Sequence, residues 1–142
     1  MKVLFDTSAI IELERKSEIL LRLVELLLER DAELYISSIS ISEIFTGVFL
    51  YHKEKERLVQ AREFLGQFEW KFFDFPIAEE TGRIFAELIR KGKSIDFRDC
   101  AIGATAITTK SNVLLTTNKK DFINQGFKGD ILSPHELLSK LS

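Results

Sequence analysis

Asp6, Glu43, Asp99 and Asp121 lie far apart in the chain, each in a short run of small or hydroxyl-bearing residues where a strand should give way to a helix. The runs are Asp6-Thr7-Ser8, Ser40-Ile41-Ser42-Glu43, Asp99 through Ala106, and Thr116 through Phe122. If the fold gathers the four acids, like-charge repulsion makes the cluster unstable unless a divalent cation neutralises it. That points to metal-dependent chemistry. Oxygen-only ligands suit Mg²⁺ or Mn²⁺, which keep several waters and bind through a few carboxylates. Each acid also has a purely structural explanation, because carboxylates are favoured at helix N-termini. Ser40 with Glu43 three residues on matches a capping box, and Asn118 with Asp121 is a looser version. The hydroxyl-bearing and small neighbours (Thr7, Ser8, Ser40, Ser42, Thr116 and Thr117 among them) favour the site, since they suit hydrogen bonds that orient carboxylates.

The elements that must position these acids can be read in outline. Lys2 to Asp6 is β-prone, and Thr7 to Arg15 follows as a helix. Ser17 can cap a helix to about Arg30 that is apolar over more than one stripe and needs cover on two sides. Leu34 to Ser37 reads as a second strand, and Ser40 opens a helical region to about Phe68, broken near Gly47 or His52. Phe72 to Phe75 is expected as a third strand, followed by a helix after Pro76 that ends at Lys91-Gly92-Lys93. Asp99 begins the next helix, Val113 to Thr116 is a strand, and residues 131 and 132 add a last one. Ser133-Pro134-His135-Glu136 starts the final helix with cap, proline and capping-box glutamate. Strands alternating with helices predict an α/β domain with a mostly parallel central sheet flanked by helices. Sites in such sheets lie beyond the carboxyl ends of the strands, where all four acids could meet.

Composition sets bounds. The 142 residues, 45% hydrophobic, suffice for one packed domain. One cysteine, Cys100, allows no internal disulfide, and Val3-Leu4-Phe5 is too short for a secretory core, so a cytoplasmic protein without membrane association is expected. A net charge of −2 excludes a globally basic nucleic-acid binder but leaves room for a basic rim. His52 and His135 are too scattered for a histidine-centred site, Cys100 reads as a small buried filler, and Trp70 and most phenylalanines read as core.

The ordered set Asp-Thr-Ser, Ser-x-Ser-Glu, Asp-x-Ala-Ile-x-Ala-x-Ala and Thr-x-Asn-x-x-Asp-Phe resembles PIN-domain ribonucleases, most of all the VapC-type toxins of toxin–antitoxin pairs. Here the third run has Gly103 where the family commonly has alanine, a change that preserves small size. The resemblance spans nearly the whole chain and implies one PIN-like three-layer domain over residues 1–142. Carried over, Asp6, Glu43, Asp99 and Asp121 are the acidic quartet, both catalytic and metal-holding, and Ser8, Thr116 and Asn118 are polar supports. It implies an endoribonuclease that leaves a 5′-phosphate and a 3′-hydroxyl, with Glu43 ligating the ion or orienting the attacking water. Asp96 is an extra acid, read as a solvated loop residue.

An acidic pocket repels RNA unless basic residues rim it, and Lys93, Arg98, Lys119 and Lys120 flank the motifs. The apolar helix before Arg30, with Ile44, Phe45, Val48, Phe49 and Tyr51, suggests a groove for a partner helix, burial within the monomer being the alternative. The resemblance implies a cognate antitoxin in that groove and a homodimer. Two other functions stay open: a PIN-like RNA- or protein-binding regulatory module without nuclease activity, and a housekeeping RNA-processing nuclease.

Overall fold

Side chains alternating between two covered faces of the strands explain the layers. In a computed structural model, which describes residues 1–50 and 54–142, Val3 and Phe5 face one side of the sheet and Leu4 the other. Strand β1 (Lys2–Phe5) is central, paired in parallel with β2 (Glu33–Ser37) and with β4 (Val113–Leu115). The edges are β3 (Glu69–Lys71) beside β2 and β5 (Asp130–Leu132) beside β4, also parallel. The order is β3-β2-β1-β4-β5, so the direction of strand addition reverses between β1 and β4. A crevice opens at the carboxyl ends of strands at such a reversal. The sheet is an all-parallel form of the expected α/β architecture.

Helices α1 (Thr7–Glu14), α2 (Glu18–Glu29), α3 (Ser38–Phe49), α4 (Glu54–Leu65) and α7 (Pro134–Leu141) contribute to the core on the Val3 and Phe5 side. On the other side α6 (Phe97–Thr108) lies against Leu4, Tyr35 and Leu114, and α5 (Phe75–Arg90) packs outside α6. Helix α6 is therefore covered on both sides, and every residue from Cys100 to Ala106 is buried. Its small side chains permit that close packing. The thiol of Cys100 is pushed up to about 11, first by burial and then by Asp99, in keeping with an inert filler.

Several predicted boundaries shift for identifiable reasons. The third strand is Glu69–Lys71 rather than Phe72 to Phe75, because the Asp74 side chain accepts from the Ile77 amide (3.2 Å) and caps α5 with Pro76 in the first turn. Trp70 is 46% exposed on the edge strand instead of in the core, its indole N–H donating to the Leu65 carbonyl. Phe49, Phe72, Phe73, Phe75 and Phe97 are exposed too. Helix α3 is capped by Ser37, whose hydroxyl accepts from the Ile39 amide, so Ser40 and Glu43 lie inside it and form no capping box. It continues through Gly47 and ends at Phe49, whereas His52 and Tyr51 fall outside the described residues. Asp96 is the N-cap of α6, which starts at Phe97, placing Asp99 in the first turn as expected. The capping box of Ser133 and Glu136 on α7 forms in both directions. Gly92, at φ +69°, ends α5 with the Lys93 amide bonding back to Leu88 and its own to Ile89, the left-handed stop that turns the chain toward Asp96.

Candidate functional site

The crevice between β1 and β4 is where the hydroxyl-rich motifs converge. Asp6 immediately follows β1, its amide donates to the Leu115 carbonyl (2.9 Å), and its side chain is buried. One carboxylate oxygen accepts from the Thr7 amide at 2.7 Å as the cap of α1. The other accepts from the hydroxyls of Ser8 (2.9 Å) and Thr116 (2.8 Å). Ser8 in turn accepts from the Thr117 amide and Thr116 from the Asn118 amide. Three donors at one buried carboxylate satisfy its oxygens and fix its plane. Of the polar supports expected, Ser8 and Thr116 contact Asp6 through side chains, while Asn118 takes part through its backbone.

Glu43 reaches the same region from α3. Thr7 donates to its Oε1 at 2.8 Å and also lies 2.8 Å from Ser40 Oγ, so the residues flanking Asp6 orient the second acid as well. Its Oε2 is 3.4 Å from Arg98, which also pairs with Asp96 at 2.7 Å. That pairing holds the Asp96 carboxyl below the usual range, a cap and ion partner rather than a free loop residue.

Asp99 reports the electrostatics of the whole cluster. Its carboxyl is pushed up to about 7, first by burial and then by the negative charges of Asp121, Asp6, Asp96 and Glu43. Asp121, Asp6 and Glu43 thus all lie near enough to act on Asp99 in the folded chain. Among the described residues, however, no group of three or more acids, histidines or cysteines is arranged closely enough to hold a metal ion. Asp6 is turned to its three donors and Glu43 to Thr7 and Arg98. The donor chemistry nevertheless fits a hard divalent cation: the acids and their hydroxyl neighbours offer oxygen ligands, and added positive charge relieves the repulsion felt at Asp99.

A cavity of about 390 Å³ adjoins Asp99 and Asp121 and is also lined by Lys93, Lys120, Asp96 and Asn124. Of the four basic residues expected at the rim, Lys93 and Lys120 share this cavity and Arg98 stands at the Glu43 edge. Lys119 instead pairs with Glu136 of α7 at 3.0 Å. The Ser133 amide first, and then Lys119, draw the Glu136 carboxyl down to about 2. A second cavity, about 590 Å³, runs between α1, α3 and α4 past Ile11, Ile44, Val48 and Glu43. Helix α2 does not line it; Leu20, Leu23 and Leu27 are buried in the core, so the monomer itself covers that helix's main apolar face. Thr7 and Ser40 are legible in sequence only as hydroxyl-bearing neighbours. Gln125, which bonds to the backbone of both Asp99 and Asp121, gives no signal at all.

Residues 3–128 match the PIN-domain family model, and the chain belongs to that family. The fold is similar to a DNA-bound VapBC complex from Salmonella typhimurium, at 26% identity and a TM-score of 0.83 over 94% of this chain and 98% of that one. It is also similar to FitAcB from Neisseria gonorrhoeae (26%, TM-score 0.77, 94% and 98%) and to a toxin–antitoxin complex from Klebsiella pneumoniae (28%, TM-score 0.68, 94% and 98%). No curated protein matched the chain. No helix among the described residues is long and apolar enough to cross a membrane.

Proposed function

We propose that this PIN-domain protein is a metal-dependent endoribonuclease, the toxin of a toxin–antitoxin pair, acting in the cytoplasm as one domain over residues 1–142. The observation that carries the reading is the convergence of Asp6, Glu43, Asp99 and Asp121 at the sheet's reversal point. Thr7 and Thr116 tie Glu43 and the β4 end to the Asp6 segment, and Asp99 shares a cavity with Asp121, where burial and the neighbouring charges raise its proton affinity. Asp6, Asp99 and Asp121 would hold Mg²⁺ or Mn²⁺, with Glu43 at its edge. Such an ion, when bound, neutralises the cluster and the phosphodiester and makes a nearby water more acidic. Ser8 and Thr116 keep Asp6 oriented, and Thr7 keeps Glu43 aimed, where it can accept a proton from the attacking water. Arg98 would leave Glu43 for a phosphate oxygen as RNA arrives, and Lys93 and Lys120 would draw the backbone over the 390 Å³ cavity.

The toxin role is supported by similarity to the Klebsiella toxin–antitoxin complex over nearly the full length of both chains. The 590 Å³ groove suits a segment of a cognate antitoxin, because it is apolar at Ile11, Ile44 and Val48 and passes Glu43, which an occupant could cover. Exposed Trp70, Phe72, Phe73 and Phe75 beside the edge strand supply an apolar surface for a homodimer.

Calorimetric titration of Mn²⁺ into the wild-type protein and into Asp6→Asn and Asp99→Asn, followed by cleavage of a mixed RNA pool, tests the activity. Saturable binding and metal-dependent cleavage, both lost in the two folded variants, are expected. Wild-type protein that binds no Mn²⁺ at millimolar concentration, with or without RNA, would instead support a binding module.

A further inference from the structure

Gln125 lies four residues beyond Asp121, outside every motif, and is only 3% exposed. Its amide nitrogen donates to the backbone carbonyl of Asp121 at 2.9 Å and to that of Asp99 at 3.2 Å. A single NH₂ group thereby bridges the two segments that carry these acids. Both partners are acceptors, so only the nitrogen can face them. The amide oxygen is consequently directed away, where it is buried with no hydrogen-bond partner among the described residues. An orphaned buried acceptor is unfavourable and calls for a compensating requirement.

The space for this amide exists because residue 103 is glycine. A Cβ there would overlap Gln125 Oε1 and stand 2.8 Å from its Cδ. Glycine is otherwise a poor residue for a helix interior, and Gly103 sits in the middle of α6 with no left-handed backbone to require it. The exchange of alanine for glycine, harmless by size alone, thus creates a notch that a specific side chain fills.

Asp121 needs such an anchor. It ends a 3-10 turn (Lys119–Asp121) of three residues, in which its own amide bonds to Asn118 and that of Phe122 to Lys119. A lone 3-10 turn has little cooperative strength of its own. We propose that Gln125 is a positioning residue that sets the spacing of the Asp99 and Asp121 carboxylates by tying their backbones together, and that Gly103 is the notch that admits it. The proposal rests on the reading of these two acids as metal-holding, but the tie itself is made by protein atoms alone.

The test uses Gln125→Met, which keeps length and volume but removes the donor, and Gly103→Ala, which keeps the donor but fills the notch. Amide hydrogen exchange is followed in the metal-free protein, and Mn²⁺ affinity by calorimetry. In either variant the amides of Asp121 and Phe122 should exchange about tenfold faster, the effect of one net hydrogen bond, while those of β1 and β4 stay unchanged. Mn²⁺ should bind about tenfold more weakly, with no further loss when Gln125→Met is added to Asp121→Asn. Wild-type exchange and affinity in folded Gln125→Met would overturn the proposal, as would faster exchange spread evenly over the molecule. If Gln125→Met does not fold, Gly103→Ala decides by the same criteria. Wild-type protein without Mn²⁺ binding would overturn the metal reading, and with it the positioning role; exchange at Asp121 and Phe122 would still decide the tie.

Discussion

Thr7 does two things at once: its amide donates to the Asp6 carboxylate that caps α1, and its hydroxyl orients Glu43. Replacing it with valine keeps shape and amide but leaves a partly buried carboxylate oxygen unsatisfied. Thr7→Val should lose about 1–2 kcal/mol of stability by urea denaturation and weaken any Mn²⁺-dependent cleavage; an unchanged midpoint would show that Glu43 does not depend on the hydroxyl. Asp99 carries the clearest pH signature. Its folded-state carboxyl, raised from 3.8 to about 7, binds its proton more tightly than in the unfolded chain. Stability from this group is therefore fully present below pH 4 and is lost as pH rises through 7. In metal-free protein, Asp99→Asn should match the wild type near pH 4 and exceed it by roughly 1–3 kcal/mol at pH 8, after discounting for partial exposure. A wild type that is the more stable of the two at pH 8 would contradict this. The four acids can be picked out because their residue types and order are distinctive. Gln125 cannot, since a glutamine in a loop acquires its role only from the two carbonyls it reaches.

At the scale of elements, the sheet places the site and the caps adjust it. Asp6 and Thr116 meet because β1 and β4 are neighbours that end together at the reversal of strand order. Helix α6 brings Asp99 to that end, and its start is set by Asp96, whose side chain accepts from the Arg98 amide at 2.8 Å. Asp96→Ala should lower stability by about 0.5–2 kcal/mol in thermal or chemical denaturation, the usual effect of removing an N-cap. No change would mean that the small-residue packing of α6 alone sets its start. The same local rules explain the misplaced boundaries. The Phe-rich run from 72 to 75 has strand-like residues, yet Asp74 within it and Pro76 just after it carry a helix-start signal that prevails. Ser40 and Glu43 have the spacing of a capping box, but Ser37 caps the helix nearly a turn earlier.

For the whole molecule, charge distribution matters more than the net value of −2. Reversing Lys93 and Lys120 to glutamate should weaken RNA binding and flatten its dependence on salt by about 0.7 in log–log slope for each phosphate that no longer meets a lysine. An unchanged slope would remove both from the RNA path. The exposed aromatic run next to β3 bears on assembly: Phe72→Ser with Phe75→Ser should convert a dimer to a monomer in sedimentation velocity, and a wild type already monomeric would exclude this interface. The alternation of apolar strands and amphipathic helices, together with four acidic motifs in order, is enough in sequence to determine the α/β class, the end of the sheet that matters and the candidate quartet. Those properties follow from local periodicity and residue type. Tertiary structure alone decided that α2 is spent on the core, that Lys119 is engaged by α7, that Arg98 reaches Glu43, and that Gln125 fits against Gly103. Each depends on distances between segments remote in the chain, which no local pattern encodes.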